Sequence, residues 1–198
     1  MAFKGATERE EYFDLLETMN RIKNIEHENL LKYAGSFNQD PDTLIIVAEN
    51  AEKGSLLDLF EQSKDNHWER MKSFSKTQLL KFITETVSAV SHLHQNDIIH
   101  GAIRAKHILI DEDCRVKLKG IQSEKTRKKY NTDNVRYWAV ELHKQNAVAT
   151  KESDSWSIGV LMWEILTMGE TPYKEVPLNQ ISAHVSLGKI QLKFDKNI

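Results

Sequence analysis

Residues 153–169 read SDSWSIGVLMWEILTMG, and this stretch determines how the rest of the chain is interpreted. From Trp156 to Met168 the side chains are apolar on nearly every face of a helix, and such a helix belongs in the middle of a domain. Ser153 and Asp154 supply residues that favour a helix N-terminus, and Gly169 stands where a glycine favours a helix end. We therefore predict a buried central helix here.

The elements before and after this helix are mainly helical, with a few short strands. Apolar residues recur at three- and four-residue steps in residues 8–25 and 77–94, which predicts amphipathic helices. Shorter helices are predicted at 56–60 and 181–187. Strands are predicted at 30–37 and 43–47, with a turn at 38–42 between them. Two further short segments, 108–110 and 115–118, are candidates to pair with each other as strands. The order predicts an α+β fold whose larger part is helical.

Composition excludes several classes of protein. The chain has 198 residues, 40% of them apolar and 28% charged, which is ordinary for one globular domain. The net charge of −2 gives no general attraction to nucleic acid or an acidic membrane. Cys114 is the single cysteine, so no internal disulfide forms and a reducing compartment is indicated. No run approaches the roughly 20 apolar residues of a membrane span.

Three stretches in this order resemble a protein kinase of the tyrosine-kinase type. Residues 98–109, IIHGAIRAKHIL, are similar to the kinase catalytic loop I-I-H-R-D-L-R-A-x-N-I-L. Residues 153–167, followed by Gly169 and by TPY at 171–173, resemble the central helix of tyrosine kinases and its tail. Residues 47–56, VAENAEKGSL, look like the hinge between the two kinase lobes. The resemblance extends from about residue 8 to residue 198.

This resemblance implies the fold and its division. Residues 1–49 would be a partial small lobe, and residues 50–198 a large lobe that is truncated at its C-terminal end. The family's Gly-rich loop and the strand with its ATP-binding Lys should precede Gly5, and no such sequence is found there. A truncated gene product without an independent role is therefore a third interpretation, beside the two discussed below.

The resemblance also implies that the reactive positions are degraded. Phosphoryl transfer needs a base near the acceptor hydroxyl and ligands for the metal ions. The base position carries Ala102, which cannot accept a proton. The two metal-binding positions carry His107 and Gly120, and Mg²⁺ prefers oxygen ligands. The resemblance therefore implies a catalytically inactive pseudokinase domain that acts through protein contacts, as a scaffold or allosteric partner in signalling.

The alternative is an atypical active protein tyrosine kinase that binds ATP and uses displaced residues. Residues 111–113 are acidic, but they lie too far along the chain to replace residue 120. Asp133, in a polar segment, is the remaining candidate. This alternative is the less favoured of the two, and no enzymatic activity is expected.

Other family positions have structural or binding roles. The resemblance implies that Asp154 caps the central helix and accepts N–H bonds from the backbone around His100. Glu141 stands in the family's A-P-E triplet, and we expect it to be solvated or unpaired. The backbone of Glu49 and Ala51 in the hinge would meet an adenine edge. Tyr130 lies where tyrosine kinases are phosphorylated, although an exposed tyrosine without a role fits equally well.

Two competing patterns point elsewhere and are weaker. His92, His94 and His100 suggest a metal site, but the first two point about 200° apart on a helix. The basic run at 125–129 is more often a solvated loop than a nucleic-acid contact. We therefore expect no metal, weak or absent ATP binding, and no nucleic-acid or membrane contact. The expected partner is a protein, such as an active kinase, in the cytoplasm or in the intracellular part of a membrane receptor.

Overall fold

The computed structural model describes residues 9–40, 43–62, 73–121, 134–144 and 146–194, which fold as an α+β protein. In these residues the helices are α1 (Arg9–Ile22), α2 (Leu56–Gln62), α3 (Lys76–Gln95), α4 (Lys151–Leu166) and α5 (Leu178–Ser186). The strands form two antiparallel pairs, β1 (Tyr33–Asp40) with β2 (Thr43–Ala48) and β3 (Ile108–Ile110) with β4 (Val116–Leu118). Short 3₁₀ helices lie at Ala105–His107, Asn134–Tyr137 and Val140–His143. The predicted fold class is confirmed.

The first strand pair differs from the prediction at both ends of β1. The strand begins at Tyr33 because Leu30 instead forms a parallel bridge with Leu118 of β4. The amide of Leu31 donates to the Leu118 carbonyl at 2.9 Å, so this segment is held by the second strand pair. At the other end Asp40 still pairs with Thr43, so the predicted turn at 38–42 is wrong in its extent. The pairing of β3 with β4 is confirmed.

The N-terminus of α4 shows that the predicted cap is wrong. Thr150 is the N-cap, and its side chain accepts from the Ser153 amide at 3.2 Å. The Ser153 side chain in turn accepts from the Thr150 amide at 2.9 Å, and the two hydrogen bonds form a capping box. The helix thus begins earlier than Trp156, and Asp154 lies inside it. The carboxylate of Asp154 is therefore not needed by the helix end and is available to another segment.

The burial of α4 is uneven, and its end needs a glycine. Val160, Leu161 and Ile165 are buried, but Trp156 remains 39% exposed, so the prediction of a helix enclosed on every face holds for one side only. The helix ends at Leu166, and the Gly169 amide donates to the Glu164 carbonyl at 2.8 Å. Gly169 has φ +83°, and a Cβ there would lie 3.1 Å from Phe60 Cβ. This close contact with α2 requires glycine.

One apolar cluster joins these elements into a single core. It is built from side chains of α2, α3, α4 and both strands of the second pair, including Phe60, Phe82, Leu93, Ile108, Leu118 and Ile165. Ile22 of α1 and Leu30 belong to the same cluster, so the N-terminal segment packs directly on the helical part. No helix in the described part of the chain is long and apolar enough to cross a bilayer.

The carboxylate of Asp154 links α4 to α3 and to the loop that follows α3. Asp154 is 1% exposed. Its Oδ2 accepts from the His100 amide at 2.8 Å and lies 2.9 Å from His94 Nε2, while its Oδ1 accepts from the Gly101 amide at 2.9 Å. A buried carboxylate is stable only when donors of this kind replace water. The contact with the loop backbone that was expected from the sequence is present.

We predict that Asp154→Ala destabilises the fold strongly. The change removes charge-assisted hydrogen bonds and leaves buried amides without an acceptor, so the free energy of unfolding should fall by about 3–5 kcal/mol. Asp113→Ala is the control, because that side chain is 73% exposed and should change stability by less than about 0.5 kcal/mol. Urea denaturation of the two variants measures the difference. Equal midpoints would show that the Asp154 contacts contribute nothing.

Candidate functional site

An apolar-lined cavity lies between the β1–β2 pair and the loop after α3. Its volume is about 520 Å³. Side chains of α1, β1, β2 and the loops surround it, and those on its apolar side are Met19, Leu31, Tyr33, Ile46, Ala48, Leu109 and Ile121. The predicted hinge residues Glu49 and Ala51 line it, and so do His107 and Gly120. The fold therefore brings the predicted hinge and two of the degraded positions to one cavity.

The hinge segment leaves one acceptor and one donor available at this cavity. The Glu49 amide donates to the Lys32 carbonyl at 2.9 Å, and the Glu49 side chain accepts from the Lys32 amide and lies 3.3 Å from Lys117 Nζ. The Ala51 carbonyl accepts from the Gly54 amide at 3.2 Å. Within the described residues, the Glu49 carbonyl and the Ala51 amide have no hydrogen-bond partner. These two groups are the ones that a planar heterocycle edge would use.

The three degraded positions lie against one another, and His107 and Gly120 also line the cavity. The His107 Nδ1–H donates to the Ala102 carbonyl at 2.7 Å. A Cβ built on Gly120 would lie 3.2 Å from both Cγ and Nδ1 of His107, which is a tight contact. A side chain at residue 120 would therefore require the imidazole ring to shift. Tyr33 lines the same cavity, and burial raises the pKa of its hydroxyl.

The His107 ring is uncharged. The pKa of His107 is lowered from 6.5 to about 3, mainly by burial and to a smaller extent by the neighbouring charges of Arg104 and Lys119. The hydrogen bond to the Ala102 carbonyl raises the pKa but does not offset the burial. At neutral pH a neutral imidazole thus fills the position between residues 102 and 120.

This donor set does not fit Mg²⁺. The two ligand positions offer a neutral ring nitrogen and a glycine, and Ala102 adds only a buried methyl group. Lys106 and Lys119 line the same cavity, and their positive charge opposes a bound cation. No group of three His, Cys, Asp or Glu side chains suited to a metal occurs among the described residues.

The predicted histidine trio does not form a metal site. His94 faces Asp154, and His92 stacks on His27 with ring centroids 5.0 Å apart. The His100 Nε2–H donates to the Lys119 carbonyl at 3.1 Å, while its Nδ1 accepts from the Ala102 amide at 3.2 Å. Burial lowers the pKa of His100, so it is a neutral link between two backbone segments.

The remaining predicted positions are not part of the cavity. Glu141 lies on the 3₁₀ helix Val140–His143, is exposed and has no ion pair among the described residues. Tyr130 and Asp133 lie outside the described residues.

The sequence did not identify Glu164, which is the second buried carboxylate of α4. Glu164 is 2% exposed, and it accepts from the Ala105 amide at 2.9 Å and from the Tyr137 hydroxyl at 2.7 Å. Burial raises the pKa of Glu164 to about 6 and also raises the pKa of Tyr137. One signal was present, since a single carboxylate inside an apolar helical run needs buried donors.

We predict that His107 makes the fold sensitive to mild acid. Because its folded-state pKa lies below 6.5, the unfolded chain binds the proton more readily, and the stabilisation that is complete above pH 6.5 is lost as the pH falls toward 3. Between pH 7 and 5 this loss is about 2 kcal/mol. Glu164 acts in the opposite direction, since its raised pKa favours the folded chain as the pH falls from 6 to 4.5.

His107→Asn isolates this effect, because asparagine keeps an N–H donor for the Ala102 carbonyl but does not titrate. Urea unfolding at pH 7 and pH 5 should show the wild type losing about 2 kcal/mol more than the variant. His184→Asn on α5 is the control for loss of a histidine outside the cavity and should behave as the wild type does. Identical losses in wild type and His107→Asn would mean that the ring is solvated.

Comparison with known proteins agrees with the geometry of this cavity. The protein tyrosine and serine/threonine kinase family matches residues 2–197. Tyrosine-protein kinase csk-1 of Caenorhabditis elegans is 26% identical over 180 residues, which are 88% of this chain and 32% of that protein. Serine/threonine-protein kinase shk2 of Schizosaccharomyces pombe is 30% identical over 84% of this chain and 28% of its own length. Megakaryocyte-associated tyrosine-protein kinase of Rattus norvegicus is 27% identical over 83% of this chain and 34% of its own length.

The chain therefore spans about a third of the length of these curated relatives. The matched segment includes the hinge, the loop after α3 and the central helix α4, and the chain belongs to the protein tyrosine and serine/threonine kinase family.

Proposed function

We propose that this chain is a pseudokinase domain that acts through protein contacts and does not transfer phosphate. The observation that carries the proposal is the His107 ring, which donates to the Ala102 carbonyl and packs 3.2 Å from the position that a Cβ at residue 120 would take. The aligned positions thus lack the base and both metal ligands, and a neutral side chain packs among them. An aspartate at residue 120 would require the ring to shift and would be strained at φ +83°.

Among the described residues, four acidic side chains of this region are engaged in other contacts, which argues against the alternative of an active kinase with displaced residues. Asp154 and Glu164 are each held by backbone amides. Asp58 interacts with Lys119 and Lys106 electrostatically, but its Oδ2 accepts from the Ser55 hydroxyl at 2.6 Å and from the Ser55 amide. Asp111 accepts from the Arg115 amide at 2.8 Å and fixes the β3–β4 turn. None of these carboxylates is free to serve as a base.

A binding role accounts for the parts of the site that remain. The buried contacts of Asp154 and Glu164 hold the loop after α3 in one conformation without any catalytic requirement for it. Most of the loop is buried, but Lys106 is exposed on it. A side chain exposed on a rigid segment is suited to recognition by another protein. An active kinase is our first choice of partner, in a scaffold or allosteric complex. The free thiol of Cys114 fits the reducing cytoplasm in this proposal.

We predict that the purified chain does not transfer phosphate. An assay with radiolabelled ATP, Mg²⁺ and Mn²⁺ on generic tyrosine and serine substrates should give background incorporation, because residues 102, 107 and 120 provide no base and no oxygen ligand for a metal ion. Ala48→Phe, which narrows the cavity, separates intrinsic activity from contamination. Incorporation that Ala48→Phe abolishes would establish an active kinase and refute the proposal, whereas incorporation that is equal in both proteins comes from a contaminant.

We also predict that nucleotide binding is weak and independent of metal. The Glu49 carbonyl, the Ala51 amide and the apolar walls could hold an adenine ring, but no metal ligand holds the phosphates. A ligand stabilises a protein by RT ln(1 + [L]/Kd), so a thermal-shift titration should show small and equal shifts for ATP with and without Mg²⁺. Ala48→Phe should abolish any shift. A large shift that requires Mg²⁺ would contradict this prediction.

A further inference from the structure

A second cavity, on the other side of the loop after α3, has three cationic side chains in its walls. Its volume is about 380 Å³. Arg104 and Lys106 come from the loop, and Arg136 comes from the 3₁₀ helix Asn134–Tyr137. We call this cavity the basic pocket. Two carboxylates also line it, those of Glu61 on α2 and Glu164 on α4.

Arg104 lacks an acceptor for its guanidinium. Its Nε is buried without a hydrogen-bond partner, and in the described part of the chain no other atom accepts from this side chain. The Glu164 carboxylate attracts the Arg104 guanidinium electrostatically, but its two oxygens already accept from the Ala105 amide and the Tyr137 hydroxyl. An arginine with buried, unsatisfied donors is costly unless an external acceptor completes it.

The other charges of the basic pocket leave it with an excess of positive charge. Arg136 donates to the carbonyls of Pro172, Tyr173 and Val176 at 3.0, 2.6 and 3.1 Å, so its charge is fixed in place. Lys106 is exposed and makes no hydrogen bond among the described residues. Three cations face two carboxylates, of which Glu164 is held by its own donors and Glu61 lies exposed on α2. This arrangement favours an anion with several acceptor oxygens.

The remaining walls favour an anion that is carried on an apolar group. Leu57 of α2 and Leu178 of α5 line the basic pocket, and Leu178 is 38% exposed although it is apolar. The cavity is also larger than a phosphate group, so a phosphate beside Arg104 would leave part of its volume unfilled. An aromatic ring would fill this part and bury surface of Leu57 and Leu178.

We propose that the basic pocket binds a phosphorylated tyrosine side chain of a partner protein. The phosphate would accept from the Arg104 guanidinium and the Lys106 ammonium, and the ring would pack between Leu57 and Leu178. Arginine clusters recognise phosphorylated side chains by such charged hydrogen bonds. The assignment rests on one part of the proposed function, that the chain binds a partner protein. It does not depend on whether the chain transfers phosphate.

Binding of short fluorescent peptides, measured by anisotropy without nucleotide or metal, tests the proposal. The phosphotyrosine peptide should bind, and the matching peptides with tyrosine, phosphoserine or glutamate should bind at least about tenfold more weakly, since each lacks the charge or the ring. Arg104→Gln should weaken binding by about tenfold or more, and Leu178→Ala by about threefold. Arg104 is partly buried, so its substitution could disturb the fold. The second variant is therefore Lys106→Gln, because Lys106 is exposed, and its affinity should fall by about threefold.

Arg115→Gln is the matched control, because Arg115 lies on the β3–β4 turn away from the basic pocket and pairs only loosely with Asp113 at 3.8 Å. It should bind as the wild type does. Equal affinity for the phosphorylated and unphosphorylated peptides, or wild-type affinity in Lys106→Gln and folded Arg104→Gln, would overturn the assignment. Displacement of the peptide by a similar concentration of inorganic phosphate would show that the pocket binds phosphate alone and would also overturn it. These outcomes are independent of the phosphotransfer assay.

Discussion

Two buried carboxylates on α4 hold the loop that carries the predicted catalytic positions, and the geometry of both cavities depends on them. Asp154 accepts from the amides of His100 and Gly101, and Glu164 accepts from the amide of Ala105. The two residues are ten positions apart, so they are about 15 Å apart along the helix axis. The loop is therefore tied to α4 at its beginning and near its end. Because a buried carboxylate cannot remain without donors, loop and helix specify each other's position.

This dependence explains how the scaffold of a kinase can persist after its reactive groups have changed. The hydrogen bonds that position the loop use backbone amides, which do not depend on the side chains at residues 102 and 120. A methyl group at Ala102 and a neutral ring at His107 pack without needing a metal ion, whereas a pair of carboxylates at residues 102 and 120 would repel each other unless a metal ion lay between them.

The sequence was sufficient for the features that local chemistry determines. The periodicity of residues 77–94 indicated α3, which spans Lys76–Gln95, and the short apolar runs indicated the β3–β4 pair. The sequence was misleading where contacts between segments that are distant in the chain, or competing local hydrogen bonds, determine the structure. Leu30 leaves β1 because β4 pairs with its segment, and Asp154 is released from capping because Thr150 and Ser153 form the cap. The contact of His107 with Gly120 joins residues from two loops, so no spacing in the sequence could show it.

The charges around the loop explain why its two faces offer different chemistry. On the cavity side, the neutral His107 ring lies in the wall together with Lys106 and Lys119, and the rest of the lining is mainly the hinge and hydrocarbon. On the opposite side, Arg104 faces Glu164, whose oxygens are already occupied, and its charge therefore remains available. Both faces are consequences of the same two carboxylates: Asp154 positions the loop with residues 102 and 107, and Glu164, by binding Ala105 and Tyr137, leaves Arg104 without a hydrogen-bond partner in the described part of the chain.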